Sequence, residues 1–334
     1  MLRLASGRIA PDTMSPLYER AIRDTIQRFE ATGSPVITDG EQSKPSFIGY
    51  AIHGLETLVP DGVTIAFADG HVRQLPRLTA GPFRYRTYAD TFLEEAKRHA
   101  RVPVKQAVIS ASALSLLYPQ DGIPGYSRDA FLDDLTREAA RDIRRCLAKG
   151  AHIVQIDFTE GRLAAKLDPT KHLLKAFVDL NNRVLERFTP LERKRIGVHT
   201  CPGGDQDSTH SADVDYGQLL PSLFGLKVGN FYIQLASEKD RGRVLGIIKE
   251  YARPDQKLFI GVIDPINPRI ETAEDVRDRV LEAAEFIPLS QLGTADDCGF
   301  APFGDDTSTG RDAAFAKISA RVAGTRLAAQ ALKV

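Results

Sequence analysis

The feature that most constrains the fold of this chain is a repeated alternation of short apolar runs and longer amphipathic patterns. The apolar runs have the length and β-branched content of buried strands, and they lie at 35–38, 104–110, 152–157, 195–199, 231–235, 258–263 and 292–295. Helical patterns occur between and around them, at 16–31, 89–100, 127–149, 169–188, 215–226, 238–251, 272–287 and 311–331. Ser127 and Thr272, the latter with Asp275 three residues further on, are the expected N-caps of two of these helices. Alternating strands and helices imply a parallel sheet with the helices packed outside it.

The number of strands favours a closed barrel. Seven are clear, and residues 2–6 supply a candidate eighth. A chain of 334 residues is long enough for one such barrel. We therefore expect residues 1–334 to form a single domain, an α/β fold of the (β/α)8 TIM-barrel type, in preference to an open doubly wound sheet. Residues 62–77 predict a small antiparallel β-hairpin insertion on a barrel loop, because Asp69-Gly70 lies between alternating apolar residues.

The composition excludes several classes of partner. Lys plus Arg and Asp plus Glu both total 44, so the formal net charge is zero, and neither a nucleic acid nor an anionic membrane surface is an expected partner. No apolar run approaches the roughly 18 residues of a membrane span. The first residues lack the apolar stretch of a signal peptide. The three cysteines, an odd and sparse set, favour a reducing compartment. We therefore expect a cytoplasmic protein.

Polar residues follow most of the apolar runs, which is where barrel enzymes place their active sites. These residues are Asp39, Glu41, Asp157, His199, Cys201, Gln234, Asp264, Asp296, Asp297 and Cys298. A barrel with a purely structural role needs no carboxylates, imidazoles or thiols at these positions. The pattern therefore predicts an active site at this end of the sheet.

The most specific pattern is His199-x-Cys201 at one strand end together with Cys298 at another. Zinc binds imidazole nitrogen and thiolate sulfur, and catalytic zinc sites combine three protein ligands with one open position. A thiol that enters the open position of a formally neutral centre would lose its proton near pH 7. The plainer interpretation is that both cysteines are small buried hydrophobic residues.

Other candidates carry weaker signals. Cys146 lies in the middle of a helical pattern and is expected in the core. His210 lies in a polar loop, and we favour a solvated histidine over a ligand or a substrate contact. No glycine-rich nucleotide loop and no G-x-S-x-G nucleophile motif occurs.

At these residues the sequence resembles the cobalamin-independent methionine synthase family, in particular its catalytic barrel and its short single-barrel relatives. The resemblance extends from about residue 35 to 300 and rests on several motifs taken together. These motifs are Thr-Asp-Gly-Glu-Gln at 38–42, Val-Gln-Ile-Asp at 154–157, His-Thr-Cys at 199–201, Val-Ile-Asp at 262–264 with Asn-Pro-Arg-Ile at 267–270, and Asp-Cys-Gly at 297–299.

The resemblance implies zinc-dependent transfer of a methyl group to a thiol, with homocysteine as the acceptor and methionine as the product. It implies that Glu41 and Asp157 hold the amino group of homocysteine. We expect Asp39 and Ser43 to add substrate contacts. The resemblance also implies zinc ligation by the His-x-Cys motif and the distant cysteine. We further expect catalytic roles for the strand-end residues Asp264 and Gln234.

Four departures from the family pattern concern the metal and the methyl donor. Gln234 replaces a Glu that is usually a fourth zinc ligand, so the fourth ligand is Gln234, Glu238 or none. Phe158 replaces a Glu that follows Asp157 in the full-length enzymes. Ile266 replaces a His, and the chain has no Trp to stack a folate ring. We therefore expect methyltetrahydrofolate polyglutamate either to be a poor donor or to bind in a quite different way, with another methylated metabolite or a partner protein as the alternative source of the methyl group.

Three alternatives stay open. The first is a zinc-dependent alkyltransferase acting on another thiol or alkyl donor, as in the epoxide–coenzyme M transferases. The second is a metal-free lyase on the same barrel, as in uroporphyrinogen decarboxylase. The third is a barrel that binds without catalysing a reaction. Zinc content separates the first alternative from the other two, and the oligomeric state is left open by the sequence.

Overall fold

A seven-stranded parallel sheet forms the centre of the computed structural model, which describes residues 14–334. Its strands are β1 (Ile37–Thr38), β6 (Val104–Ile109), β7 (Val154–Asp157), β8 (Ile196–Thr200), β11 (Asn230–Ile233), β12 (Lys257–Ile263) and β13 (Leu292–Asp296). They pair in chain order and are parallel throughout. Every residue of β8 and β11 is buried, as expected for strands covered on both faces. The seven predicted strands are therefore confirmed.

Helices cover the sheet in the predicted alternation. They are α1 (Met14–Ala31), α2 (Asp90–Lys97), α3 (Ala111–Ser115), α4 (Arg128–Ala148), α5 (Glu160–Leu167), α6 (His172–Leu185), α7 (Pro190–Arg193), α8 (Leu220–Leu223), α9 (Arg241–Tyr251), α10 (Ala273–Ala284) and α11 (Arg311–Leu332). Both predicted N-caps are confirmed. The Ser127 side chain accepts from the amide of Ala130. Thr272 and Asp275 form a reciprocal capping box. Among the described residues, 14–334, no helix is long and apolar enough to cross a membrane.

The predicted hairpin insertion is confirmed and is larger than expected. Strands β3 (Thr64–Ala66) and β4 (Val72–Gln74) pair antiparallel around Gly70, whose φ of +94° suits a tight turn. A second antiparallel pair, β2 (Leu58–Val59) with β5 (Arg77–Leu78), extends the insertion. A further two-residue pair, β9 (Gly204–Asp205) with β10 (Ser208–Thr209), follows β8. The amide of Ala68 donates to the Thr209 carbonyl, which joins the insertion to this loop.

The first and last described helices pack against each other. Phe29 of α1 and Phe315 of α11 meet edge to face with ring centroids 5.2 Å apart. Arg28 also pairs with Asp312 at 2.6 Å. The two edges of the seven-stranded sheet therefore carry helices that touch. The predicted eighth strand, at 2–6, lies outside the described residues, and closure of the barrel remains a prediction.

Candidate metal and substrate site

Three potential metal ligands come together at the carboxyl edge of the sheet. His199 belongs to β8, Cys201 follows it directly, and Cys298 follows β13. One ligand atom from each lies within 4.8 Å of the others. In a flat sheet, strands three positions apart are separated by about 14 Å. The sheet must therefore curl strongly to bring Cys298 to the end of β8.

The two thiols lie within hydrogen-bonding distance of each other. Their Sγ atoms are 3.0 Å apart. The hydrogen bond from Cys201 lowers the pKa of Cys298 well below its ordinary value, while the same bond and burial raise the pKa of Cys201. Burial is the largest single influence on His199 and lowers its pKa, but the hydrogen bond and charge of Cys298 together with the charge of Asp157 outweigh burial, and the net shift is upward. A cation beside Cys298 would stabilise the thiolate form that this lowered pKa favours.

This donor set fits zinc. One imidazole and two sulfur atoms are ligand types of catalytic zinc sites, which leave a fourth position open. Two of the three residues are buried. A cation within reach of all three atoms would compensate the negative charge of the thiolates, which is otherwise costly in a largely buried site. Cys146, by contrast, is fully buried in α4, where burial raises the pKa of its thiol. Its predicted core role is confirmed.

The candidates for a fourth ligand are bound to Arg162 instead. Arg162, which is 2% exposed, donates from Nη1 to Gln234 Oε1 at 3.0 Å and to Glu238 Oε1 at 2.7 Å. The Gln234 amide nitrogen donates to Ser237 Oγ at 2.6 Å. Both side chains are engaged with Arg162, and the group of His, Cys, Asp and Glu side chains that could hold a metal in the described part of the chain is His199, Cys201 and Cys298. Sequence reasoning missed Arg162, which lies on the unpredicted helix α5.

Three carboxylates gather beside the cysteine cluster around one buried lysine. The Lys44 ammonium is 2.7 Å from Glu41 and 3.7 Å from Asp39, and its side chain is 1% exposed. Burial raises the pKa of Glu41, and the charges of Asp39 and Asp157 raise it further, while Lys44 opposes the shift. Burial also raises the pKa of Asp157, which His199 lowers. The three predicted substrate carboxylates therefore lie near one another and beside the cysteine–histidine cluster.

A second buried lysine reaches Asp157 through an amide. Lys105 Nζ donates to Gln155 Oε1 at 2.5 Å, and Gln155 Nε2 donates to Asp157 Oδ1 at 2.7 Å. The ammonium also lies 4.0 Å from the centroid of the Tyr232 ring. Burial lowers the pKa of Lys105 to about 8, so it remains largely protonated at pH 7. A lysine in a strand of mainly apolar residues is the sequence signal that could have identified it.

Two of the predicted site residues are engaged elsewhere. Ser43 donates its hydroxyl to Glu95 Oε2 at 2.7 Å. Asp264 Oδ1 accepts from the amide of Ile266 at 3.0 Å, which caps the loop after β12. Substrate and catalytic roles for Ser43 and Asp264 stay predictions. His210, expected in solvent, is 6% exposed, so that expectation is wrong: the loop folds back over it.

Asp297 fixes the loop beside Cys298. Its carboxylate accepts from the backbone amides of Leu235, Ala236 and Ser237 at 2.8–2.9 Å. Burial raises the pKa of Asp297 to about 6, although these bonds oppose the shift. This residue therefore joins the ends of β11 and β13.

A parallel sheet with an imidazole and two thiols at its carboxyl edge defines an α/β protein with a zinc-type donor cluster. The sequence matches the family described as "Cobalamin-independent synthase, Catalytic domain" over residues 3–318. The chain belongs to this family, and the resemblance predicted from its motifs is confirmed.

Individual relatives are distant but similar over most of their length. A methionine synthase of Saccharolobus solfataricus is 25% identical over 330 residues, 98% of this chain and 89% of that protein. A B12-independent methionine synthase from Shewanella sp. W3-18-1, solved in complex with selenomethionine, has a TM-score of 0.77 at 18% identity and covers 98% of this chain and 92% of its own. A putative vitamin-B12-independent methionine synthase from Listeria monocytogenes has a TM-score of 0.66 at 23% identity, with coverages of 97% and 91%. At these identities the two structures establish the fold alone.

Proposed function

We propose that the protein transfers a methyl group to the thiol of homocysteine, with a zinc ion held by His199, Cys201 and Cys298. The observation that carries the proposal is the approach of these three ligand atoms to within 4.8 Å of one another, next to the carboxylate of Asp157. Zinc bound there would act as a Lewis acid that lowers the pKa of an incoming thiol. Membership of the family supports the same reaction type.

The charges around Lys44 support an acceptor with an amino group. The carboxyl groups of Asp39, Glu41 and Asp157 outnumber the nearby ammonium groups of Lys44 and Lys105 by one. The ammonium group of a substrate would stabilise the ionised form of the remaining carboxyl group. Like charges buried together are unfavourable without such a partner. In this arrangement Glu41 and Asp157 hold the ammonium, while Gln155 keeps Asp157 in place.

The methyl donor is a separate part of the proposal. Phe158 is fully buried where a Glu would follow Asp157, and Ile266 lies at the position of the family's His. Neither side chain can give a proton to a leaving nitrogen, a form of catalysis worth about 10²–10⁴ in rate. We therefore propose that the methyl group comes from a small molecule other than methyltetrahydrofolate polyglutamate, or that a partner protein delivers it.

We also propose that the sheet closes into an eight-stranded (β/α)8 barrel. Contact between α1 and α11 supports closure, since these helices flank opposite edges of the sheet. Strand ends from opposite sides of a closed barrel converge on one mouth, which is the arrangement that the cysteine–histidine cluster requires.

Zinc analysis of purified variants tests the proposal. Wild type should bind about one zinc per chain and form methionine from homocysteine, whereas Cys201→Ser and Cys298→Ser should lose both, because a three-ligand site has no spare ligand. The control is Cys146→Ala, which changes the third cysteine and should retain zinc. Zinc-free wild type, or Cys201→Ser and Cys298→Ser proteins that retain zinc as Cys146→Ala does, would contradict the proposed function.

A further inference from the structure

A cavity of about 450 Å³ lies beside the cysteine cluster, beneath the hairpin insertion. Its walls come from residues 46–58, from β3 and β4, and from the loops that follow β6, β7 and β8. Aromatic and aliphatic side chains predominate, among them Phe47, Leu58, Leu117 and Phe303. This volume is typical of pockets for ligands of drug-like size.

Two glycines connect the cavity to the cysteine cluster. Gly203 and Gly204 line the cavity, and Gly204 also borders a small recess lined by Cys298. Gly203 has a φ of +70°, and a Cβ there would overlap the His210 imidazole. A Cβ on Gly204 would meet nothing closer than Ile266 Cδ1 at 3.6 Å. These glycines therefore place no side chain between the cavity and the cysteines.

The cavity wall offers no unpaired Lys or Arg side chain among the described residues, and its two histidines are His53 and His210. Arg73 is the one Lys, Arg, Asp or Glu side chain in that wall. It donates to Asp205 Oδ2 at 2.5 Å and to Asp305 Oδ2 at 2.9 Å. Burial lowers the pKa of His210 to about 4, so its imidazole is neutral at pH 7. An anionic part of a donor would therefore meet two carboxylates at Arg73 and no unpaired Lys or Arg side chain.

We propose that this cavity binds the body of the methyl donor, and that this body is uncharged and largely apolar or aromatic. The inference rests on the proposed methyl transfer to a thiol. In that reaction the acceptor sulfur bonds to the methyl carbon while the bond from this carbon to the donor heteroatom breaks. The heteroatom leaves with the electron pair, and the thiol proton passes to solvent or, where the leaving group is basic, ends on that heteroatom.

Dye binding to the zinc-loaded protein tests the character of the cavity. The probes are prodan, a neutral naphthalene, and anilinonaphthalene sulfonate, an anionic one. Ile65→Trp should fill the cavity, because Ile65 lies in its wall. Val72→Trp is the matched control: Val72 is on the neighbouring strand of the same hairpin, is 56% exposed and lies outside the wall.

Wild type should bind prodan about tenfold more tightly than the sulfonate, and Ile65→Trp should weaken prodan binding by about tenfold. Val72→Trp should bind both dyes as wild type does. Asp305→Asn should strengthen sulfonate binding and leave prodan binding unchanged, because it removes one of the two carboxylates that neutralise Arg73. Equal binding of both dyes by wild type, or equal effects of the two tryptophan substitutions, would overturn the assignment.

An assay with a neutral aromatic methylating agent tests whether the cavity binds the donor during the reaction. With homocysteine and methyl para-nitrobenzenesulfonate, methionine formation above the uncatalysed rate should saturate with the ester. It should fall by about tenfold in Ile65→Trp and stay unchanged in Val72→Trp. Zinc is measured in the same samples. Zinc-loaded protein with equal rates in both variants overturns the cavity assignment alone, whereas zinc-free wild type contradicts the proposed function itself.

Discussion

At the scale of single residues, the carboxylates beside the cysteines have unequal partners. Lys44 pairs directly with Glu41, whereas Asp157 is reached only through the Gln155 amide. Glu41 also has a φ of +54°, an unusual backbone conformation for a residue with a side chain. Strain of this kind persists where the surrounding structure maintains it, and it is common at binding sites.

Glu41→Gln should mainly weaken the binding of an amino-acid thiol. A carboxylate–ammonium hydrogen bond contributes about 1.5–3 kcal/mol, so kcat/KM for homocysteine should fall by about 10- to 100-fold, largely through KM. The matched substrate is 4-mercaptobutyrate, which is homocysteine without its amino group and should be affected far less. Glu95→Gln, which changes the partner of Ser43, is the control variant. Equal losses on both thiols would contradict the assigned role.

Glu160→Gln should change how stability depends on pH. Burial raises the pKa of Glu160 from 4.5 to about 7, while Ser110 and Ser112 donate to its Oε1 and oppose the shift. The folded state therefore holds this proton more tightly than the unfolded state. The resulting stability is present below pH 4.5 and is lost as the pH rises through 7.

The measurement is the unfolding free energy of wild type and Glu160→Gln at pH 5 and pH 8. The variant should gain stability relative to wild type on going to pH 8, by up to about 3 kcal/mol, because it has no buried charge to form. Glu186→Gln, at an exposed ion pair with Lys227, is the control and should show less than about 0.5 kcal/mol of change. A difference between wild type and Glu160→Gln that does not vary with pH would exclude the buried ionisation.

At the scale of elements, close contact between strand ends sets the geometry around Cys298. In β12, Gly261 leaves room for the Asp297 carboxylate: a Cβ would overlap Oδ1 of that residue and lie 2.9 Å from the Leu235 amide nitrogen. The register of β12 against β13 shifts between Gly261 and Ile263. The glycine therefore permits Asp297 to bind the loop after β11.

Gly261→Ala should destabilise the protein by about 1–3 kcal/mol, the usual cost of overpacking, and should weaken zinc binding by displacing Asp297. Gly246→Ala is the matched control, because Gly246 lies within α9 with nothing within 4 Å of the added Cβ. That substitution should stabilise by about 0.5–1 kcal/mol through helix propensity. Chemical denaturation and zinc titration measure both effects, and unchanged zinc affinity in Gly261→Ala would argue against the role of Asp297.

At the scale of the whole molecule, contact between α1 and α11 connects the two ends of the described chain. Arg311 adds to this contact by donating to Asp24 at 2.7 Å, beside the Phe29–Phe315 ring pair. A single domain, as the sequence predicts, should unfold as one cooperative unit when this contact is weakened.

Phe315→Ala should lower the unfolding free energy by about 2 kcal/mol, since a partly buried aromatic ring is removed. The protein should nevertheless unfold in one transition, with the far-UV and near-UV circular dichroism signals changing together. Tyr251→Ala, at the exposed end of α9, should cost less than about 0.5 kcal/mol. Separate melting of the C-terminal helix, with the rest unchanged, would contradict a single cooperative domain.

The sequence alone predicted the order and type of most elements, because the periodicities of buried strands and amphipathic helices are local. It missed α5, an eight-residue helix with Gly161 in its first turn. Glycine lowers helix propensity there, yet six of the eight residues of the helix are buried, and this burial stabilises it. The glycine is needed for the close packing, because a Cβ on Gly161 would lie 2.6 Å from the Phe158 ring. Tertiary packing thus prevailed over local propensity.

The sequence also determined which residue types stand at the strand ends, and these residues together with the family resemblance of their motifs predicted the grouping of His199 with both cysteines. Only the tertiary structure decided which of these side chains form hydrogen bonds with other residues. Arg162 binds Gln234 and Glu238 from 72 and 76 residues away in the chain. The cavity likewise depends on an insertion that folds over the ends of three strands. Strand and helix periods are set by neighbouring residues, but such contacts depend on the curvature that brings distant strand ends together, which no local pattern encodes.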